Sequence, residues 1–431
     1  MASPSLSAEL SPRRLLSVPR NLLFRLAEQI RETLARTLYT PPAGSPVSVK
    51  SLLESLLPQN TAPKSVDREI KNFCLCCAAL ASAEGVESPS VYWIPKDLSS
   101  LAKSALREIS AAGSFAAEHE MVAELMAEVL PELKAVVKET CVDPDEEVFV
   151  AGSVRAPVVN SIVAAHQFRW LVTQVIYPHL GNLCALVMPC ALTTLDHWSP
   201  EVKEQGMLAL IHLGKNVNAT ELGWYEEAFL DVCCRNIATS DDLWSRIIEV
   251  STLLLTCTQR KNPRSSWFER MLNEMLGHLE RHPFSREHRI AWLQLIEPVL
   301  SAMGLVLLMH FHRIFPLFFQ WLHTDDDETI LLVVLQVLER IHSIIKLTWV
   351  RKSPYMARLL DELIHLYKEV ETRESRESIR NFILDSLILL QKCKGMQFET
   401  SWIKYKDDPG LEKLVYSLRE ALKAQAVQHL L

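Results

Sequence analysis

Several groups of side chains in this 431-residue chain have types suited to chemistry. Cys74-Leu75-Cys76-Cys77 offers three thiols, and thiolates are the usual ligands of structural zinc. The group lies on an apolar helical run with no second ligand pair at finger spacing, so the thiols are expected to pack as small hydrophobes. Cys233-Cys234 is adjacent on a helix, which does not favour a shared ligand set, and the core is again expected. His310 and His312 flank Phe311; two residues apart on a helix they face different ways, so they are not expected to share a metal. Asp325-Asp326-Asp327-Glu328 concentrates charge that would attract a cation, but its spacing is not that of a calcium loop. It suits the start of a helix, where the macrodipole favours acidic groups. Ten tryptophans remain. Trp198, Trp224, Trp244, Trp267, Trp292 and Trp321 fall near polar breaks or in helices, and most are expected to fill space between layers. Trp198, Trp224 and Trp321 are candidates for anchoring a partner, because buried aromatics dominate interface energetics.

The chain carries no GxxxxGK[ST], GxGxxG, GxSxG or HExxH. No catalytic residue, cofactor or metal ion is expected, and the chain is not expected to be an enzyme. Only 12 glycines occur, few for a doubly wound α/β enzyme. Lys and Arg total 45 and Asp and Glu 52, a net −7, which gives no electrostatic footprint for nucleic acid. The ten cysteines sit mostly in apolar helical runs and form no disulfide-like framework, so a reducing compartment, the cytoplasm or the nucleus, is expected. There the Asn218-Ala219-Thr220 sequon is irrelevant. The nearest approach to a membrane span, Leu305 to Leu322, is interrupted by His310, His312 and Arg313, so no membrane association is expected. Met1 to Arg20 is rich in Ser, Pro and Arg and is expected to be a disordered tail; Glu9, Glu28 and Glu32 argue against a transit peptide.

What positions these side chains is a repeat. An apolar helical run, a short polar break and a second apolar run recur from about Leu180 to Cys393. With Ser199, Ser240, Pro283, Asp326 and Glu374 as markers of the breaks, the steps are 41, 43, 43 and 48 residues. A two-helix period of about 40–47 residues is the signature of HEAT or armadillo arrays, so the expected fold is an all-α solenoid. The helix pairs are expected at 181–195 with 200–214, 220–237 with 242–258, 264–281 with 285–302, 305–323 with 327–346, and 354–371 with 375–393. Ile330, Val333, Val334, Val337, Leu338, Ile341, Ile344 and Ile345 show the helical period well. The expected organisation is a tail over 1–20, an irregular helical region over 21–115, degenerate repeats over 116–179, regular repeats over 180–395 and a capping helix within 396–431.

One repeat, Leu183 to Leu213, carries the most specific chemistry. Pro189 lies inside its first helix, where it removes a backbone hydrogen bond. Asp196 ends that helix, Ser199 stands at the N-cap of the second, and Pro200 follows at the first helical position. Lys203 lies one turn on, within reach of an Asp of this or a neighbouring repeat. Pro316 followed by Asp325 repeats the first-helix Pro and acidic break, and Pro131 marks an earlier, degenerate unit. These residues are expected to shape the repeats.

The block Val175-Ile176-Tyr177-Pro178-His179-Leu180-Gly181, then Val187-Met188-Pro189, then the run from Leu195-Asp196-His197-Trp198-Ser199-Pro200 to Lys203 and Gly206, resembles the telomere-maintenance-two-interacting protein two family. Leu210-Ile211-His212-Leu213 and Asn216-Val217 continue the likeness, which is clearest over 175–240 and diffuse to about 395; nothing in 1–115 carries it. The resemblance implies a non-enzymatic α-solenoid subunit of the Triple-T co-chaperone complex. Its partners would be the two other subunits and, through them, the ninety-kilodalton heat-shock chaperone and the phosphatidylinositol-3-kinase-related kinases that the complex matures and stabilises, a link to DNA-damage signalling. The family supplies no catalytic residue; Asp196, Pro200, Lys203 and Gly206 match its motif with an architectural role. A transport or nuclear-import-type solenoid adaptor is the alternative, although the tryptophans lack the regular ladder such adaptors use.

Overall fold

The computed structural model describes residues 14–41, 47–59, 66–85, 88–141, 157–322, 328–351, 353–371 and 377–428. Among the described residues helices dominate and no β-strand occurs. The architecture is an all-α solenoid of HEAT/armadillo-like helical repeats, divided into two compact units, Met1–Asn236 and Ile237–Leu431.

The first unit contains α1 (Arg20–Arg36), α2 (Val49–Leu56), α3 (Val66–Ser82), α4 (Lys96–Ala112), α5 (Glu118–Glu139), α6 (Val158–Thr173), α7 (His179–Asn182), α8 (Cys184–Leu195), α9 (Pro200–Asn216), α10 (Ala219–Gly223) and most of α11 (Glu226–Thr239). Helices α3, α6 and α9 pack side by side in one layer, and α4, α5 and α8 follow one another in the second. Amphipathic period decides which layer each helix suits. In α1 the buried positions Leu23, Leu26, Ala27, Ile30 and Leu34 form one stripe. In α6 every residue from Ser161 to Phe168 is buried, because α3, α5 and α9 surround it. The expected tail of 1–20 ends sooner than its composition suggests. Leu15 and Val18 are buried, and Arg14 pairs with Glu120 at 3.3 Å and Glu124 at 3.4 Å on α5.

The second unit holds α12 (Trp244–Gln259), α13 (Ser266–Arg281), α14 (Arg286–Leu295), α15 (Glu297–Met303), α16 (Phe311–Leu322), α17 (Glu328–Thr348), α18 (Ser353–Glu371), α19 (Glu377–Lys394), α20 (Met396–Trp402) and α21 (Glu412–Gln428). Helices α12, α14, α17, α19 and α21 stack as one layer. In the other, α16 touches α18 and α18 touches α20, while Arg313 of α16 pairs with Glu280 of α13 at 2.9 Å.

Three expected helices are broken, each for a local reason. The helix at 285–302 splits into α14 and α15, bent by 50° into the segment that follows. Pro298 lacks the N–H and its ring crowds the carbonyl one turn back. The neighbouring Leu293 carbonyl is satisfied by Arg340 Nε of α17 at 2.9 Å, and Arg340 Nη1 meets Glu297 at 2.5 Å. The helix at 305–323 begins as a 3₁₀ turn over Gly304–Met309, entered through Gly304 at φ 51°, a left-handed conformation suited to glycine. The helix at 220–237 divides into α10 and α11 around Trp224-Tyr225. No single helix among the described residues is long and apolar enough to cross a membrane.

Candidate interaction surface

The motif residues of the 183–213 repeat form a seam between neighbouring helices. Asp196, at the end of α8, accepts from Arg235 Nη2 of α11 at 3.1 and 3.3 Å. Lys203 Nζ, on α9, donates to Asn236 Oδ1 of α11 at 2.9 Å. Lys203 therefore pairs with an amide of the next repeat, while Arg235 takes the aspartate. Burial pulls the Lys203 pKa down even though Asp196 pulls the other way. Pro189 lies inside α8 and Pro200 occupies the first turn of α9. Ser199 holds the N-cap position but its hydroxyl makes no cap bond; its N–H donates instead to His197 Nδ1 at 3.0 Å. Gly206 is where α9 meets α8: a Cβ there would lie 2.9 Å from the Leu195 nitrogen and 3.1 Å from Thr194 Cβ. Pro316 lies inside α16, and Asp325 is outside the described residues.

The three candidate tryptophans separate by exposure. Trp321 is 1% exposed and packs edge-on to Trp292 at 6.1 Å. It is a core residue and offers no face to a partner. Trp198 is half-buried, stacked on His197, with its Nε1–H donated to the Thr140 carbonyl at 2.7 Å. Trp224 is 84% exposed. A Cβ on Gly181 of α7 would lie 2.5 Å from Glu221 Oε2 of α10, so α7 and α10 pack close together. Ile176 and Tyr177, 54% and 57% exposed, precede α7. Ile176 and Tyr177, just before α7, and Trp224, just after α10, place large apolar side chains in solvent, the chemistry of a docking site.

Several constellations were not evident from sequence. Glu201 accepts from Ser90 N–H at 3.1 Å and Ser90 Oγ at 2.8 Å and is also bonded by Ser88, whose hydroxyl lies 3.3 Å from His166 Nε2. The other ring nitrogen of His166 faces Ser82 Oγ at 3.4 Å. Although these are the residue types of a hydrolase triad, no carboxylate orients the far nitrogen and the histidine is fully buried, so the arrangement ties α3, α6 and α9 together. His197 Nε2 meets Thr140 Oγ1 at 3.0 Å while its Nδ1 accepts from Ser199. Burial pushes the ring's pKa down to about 4, and the nearby Lys203 charge adds to the shift. In the second unit Asp241, His278, His282 and His288 converge. The i, i+4 spacing of His278 and His282 was the available signal, but Asp241 is too distant in sequence to suggest itself. Cys74, Cys76 and Cys77 are buried, and burial pushes the Cys74 and Cys76 thiols up to about 12, the behaviour of small hydrophobes. His310 is buried and His312 exposed, as two residues apart on one helix requires.

No family model matches the chain. It is 47% identical over 418 residues to Uncharacterized protein At2g39910 of Arabidopsis thaliana, covering 93% of this chain and 95% of that protein. It is 24% identical over 260 residues to TELO2-interacting protein 2 of Homo sapiens, covering 54% of this chain and 49% of that protein. Among solved structures it is similar to importin beta, with TM-score 0.52 and 12% identity, over 96% of this chain and 47% of that one. A chain of the Kap95p–RanGDP complex gives TM-score 0.51 and 11% identity, over 92% and 43%. The chain therefore spans about half the length of the human relative and of both structures. At such identities the structural likenesses show the fold alone. The near-complete match at 47% identity shows more: the chain belongs to the family of the Arabidopsis thaliana protein At2g39910.

Proposed function

We propose that this chain is a non-enzymatic scaffold subunit that docks a larger helical-repeat partner, in a co-chaperone assembly of the Triple-T type that supports maturation and stability of phosphatidylinositol-3-kinase-related kinases. The observation that carries the reading is the likeness to TELO2-interacting protein 2 over 260 residues. The geometry supports it in kind. Repeats braced by Asp196–Arg235 and Lys203–Asn236 hold exposed turn residues in fixed register, with Ile176, Tyr177 and Trp224 as the contact edge. The expected partner is a TELO2-like subunit, met in the cytoplasm and nucleus. Co-purification of the natively tagged chain tests this. Stoichiometric recovery of a large helical-repeat partner, reduced for Trp224→Ala, is expected; recovery of the chain alone would sink the proposal. The likeness to importin beta raises a second reading, a cargo adaptor, and binding of basic localisation peptides would favour it instead.

A further inference from the structure

Four side chains in the second unit converge without a role in the scaffold reading. His278 lies in the last turn of α13, His282 is the residue that ends it, His288 sits in the first turn of α14, and Asp241 stands in the break before α12. His278 Nε2 and His282 Nε2 each lie 3.6 Å from Asp241 Oδ1, and His278 Nε2 lies 3.2 Å from His288 Nδ1. The ligand atoms of Asp241, His278 and His282 all fall within 4.8 Å of one another. In a tetrahedral zinc site with bonds of about 2.0–2.1 Å, neighbouring donor atoms are about 3.3 Å apart. The two 3.6 Å separations from Asp241 Oδ1 are close to that edge length.

We propose that Asp241, His278 and His282 form a site for a divalent transition-metal ion of the zinc type, with His288 beside it. The donor set, two imidazoles and one carboxylate, suits zinc among the common ions and does not match the all-oxygen preference of calcium and magnesium. The rings are held for the task. Trp244 stacks on His278 at 3.9 Å and 11°, and its Nε1–H donates to the His288 carbonyl at 2.9 Å. His288 also hydrogen-bonds the Asp241 main chain, an outer-shell contact that orients the ring. His278 is fully buried, yet its Nδ1 has no hydrogen-bond partner and its Nε2 meets only other members of the group. A metal–nitrogen bond at Nε2 would satisfy that nitrogen of the buried ring. Asp241 is exposed and His282 half-buried, so an ion reaches the site from solvent. An ion held there ties the break before α12 to the α13–α14 turn, alongside the Trp244–His288 bond.

The test uses the full chain, stripped with chelator and titrated with Zn²⁺ by calorimetry and with Co²⁺ by visible absorption. One ion per chain is expected, raising the thermal midpoint, with a tetrahedral Co²⁺ spectrum that lacks a thiolate charge-transfer band. Asp241→Asn and His282→Gln, at accessible positions, are expected to weaken binding by at least about tenfold and to abolish the Zn²⁺-dependent rise in midpoint. The Co²⁺ spectrum of the unaltered chain decides the geometry even if a variant fails to fold. Absence of stoichiometric uptake, a thiolate band, or unchanged binding by both variants would overturn the proposal.

Discussion

Replacing Gly206 by alanine tests the close approach of α8 and α9 most directly. A Cβ at this position would meet the Leu195 backbone nitrogen at 2.9 Å and Thr194 Cβ at 3.1 Å. Real contacts are longer by several tenths of an ångström, and the first obstacle is main chain, so the two helices must separate. Forcing an extra carbon into a packed interface costs about 1–3 kcal/mol. The intrinsic helical gain of Gly→Ala, about 1 kcal/mol, works against that. Because the obstacle is main chain, the cost falls in the upper part of that range, about 2–3 kcal/mol, and the net expectation is a loss of about 1–2 kcal/mol, localised to the seam. Gly277→Ala in α13 is the internal control, because the nearest atom to its Cβ is an arginine Nη1 at 3.9 Å. There the helical gain is unopposed, and a stabilisation of about 0.5–1 kcal/mol is expected. Since the chain has two units, a global transition is a poor reporter, and amide hydrogen exchange on peptides from each helix pair reads the effects locally. Exchange in α8 and α9 is expected to quicken about 5–30-fold for Gly206→Ala and to slow in α13 for Gly277→Ala. If Gly206→Ala protects its helices as Gly277→Ala does, the close-approach argument is refuted.

Further outcomes follow from the same geometry. Arg340→Ala strips the partner from Glu297 and from the Leu293 carbonyl at the bend, and a loss of about 3 kcal/mol in urea denaturation is expected, whereas Arg235→Ala at the exposed Asp196 pair should cost under about 1 kcal/mol. The folded-state pKa of His197 falls from 6.5 to about 4, so the stability it contributes is complete above pH 6.5 and is lost as pH falls towards 4. Denaturation midpoints across that window should fall less steeply in His197→Gln. Trp321→Ala should lose about 3–5 kcal/mol by leaving a cavity, while Trp224→Ala should leave the thermal midpoint unchanged and weaken only partner capture.

The sequence by itself determined the architecture, because helical period and break spacing are local properties: once each apolar stripe must be buried, pairs recurring every 41–48 residues have to stack. It also located the Asp196, Lys203 and Gly206 seam, since those residue types serve the repeat geometry itself. Tertiary structure decided the partners. Arg235 and Asn236 were anonymous until α11 was placed beside α8 and α9. It also decided the fate of each tryptophan: Trp224 stands in the break between α10 and α11 and is exposed, whereas Trp321 lies near the end of α16 and is covered. The histidine and aspartate cluster was hidden for the same reason: Asp241 and His278 lie 37 residues apart, and only stacking of successive turns brings their ligand atoms to 3.6 Å.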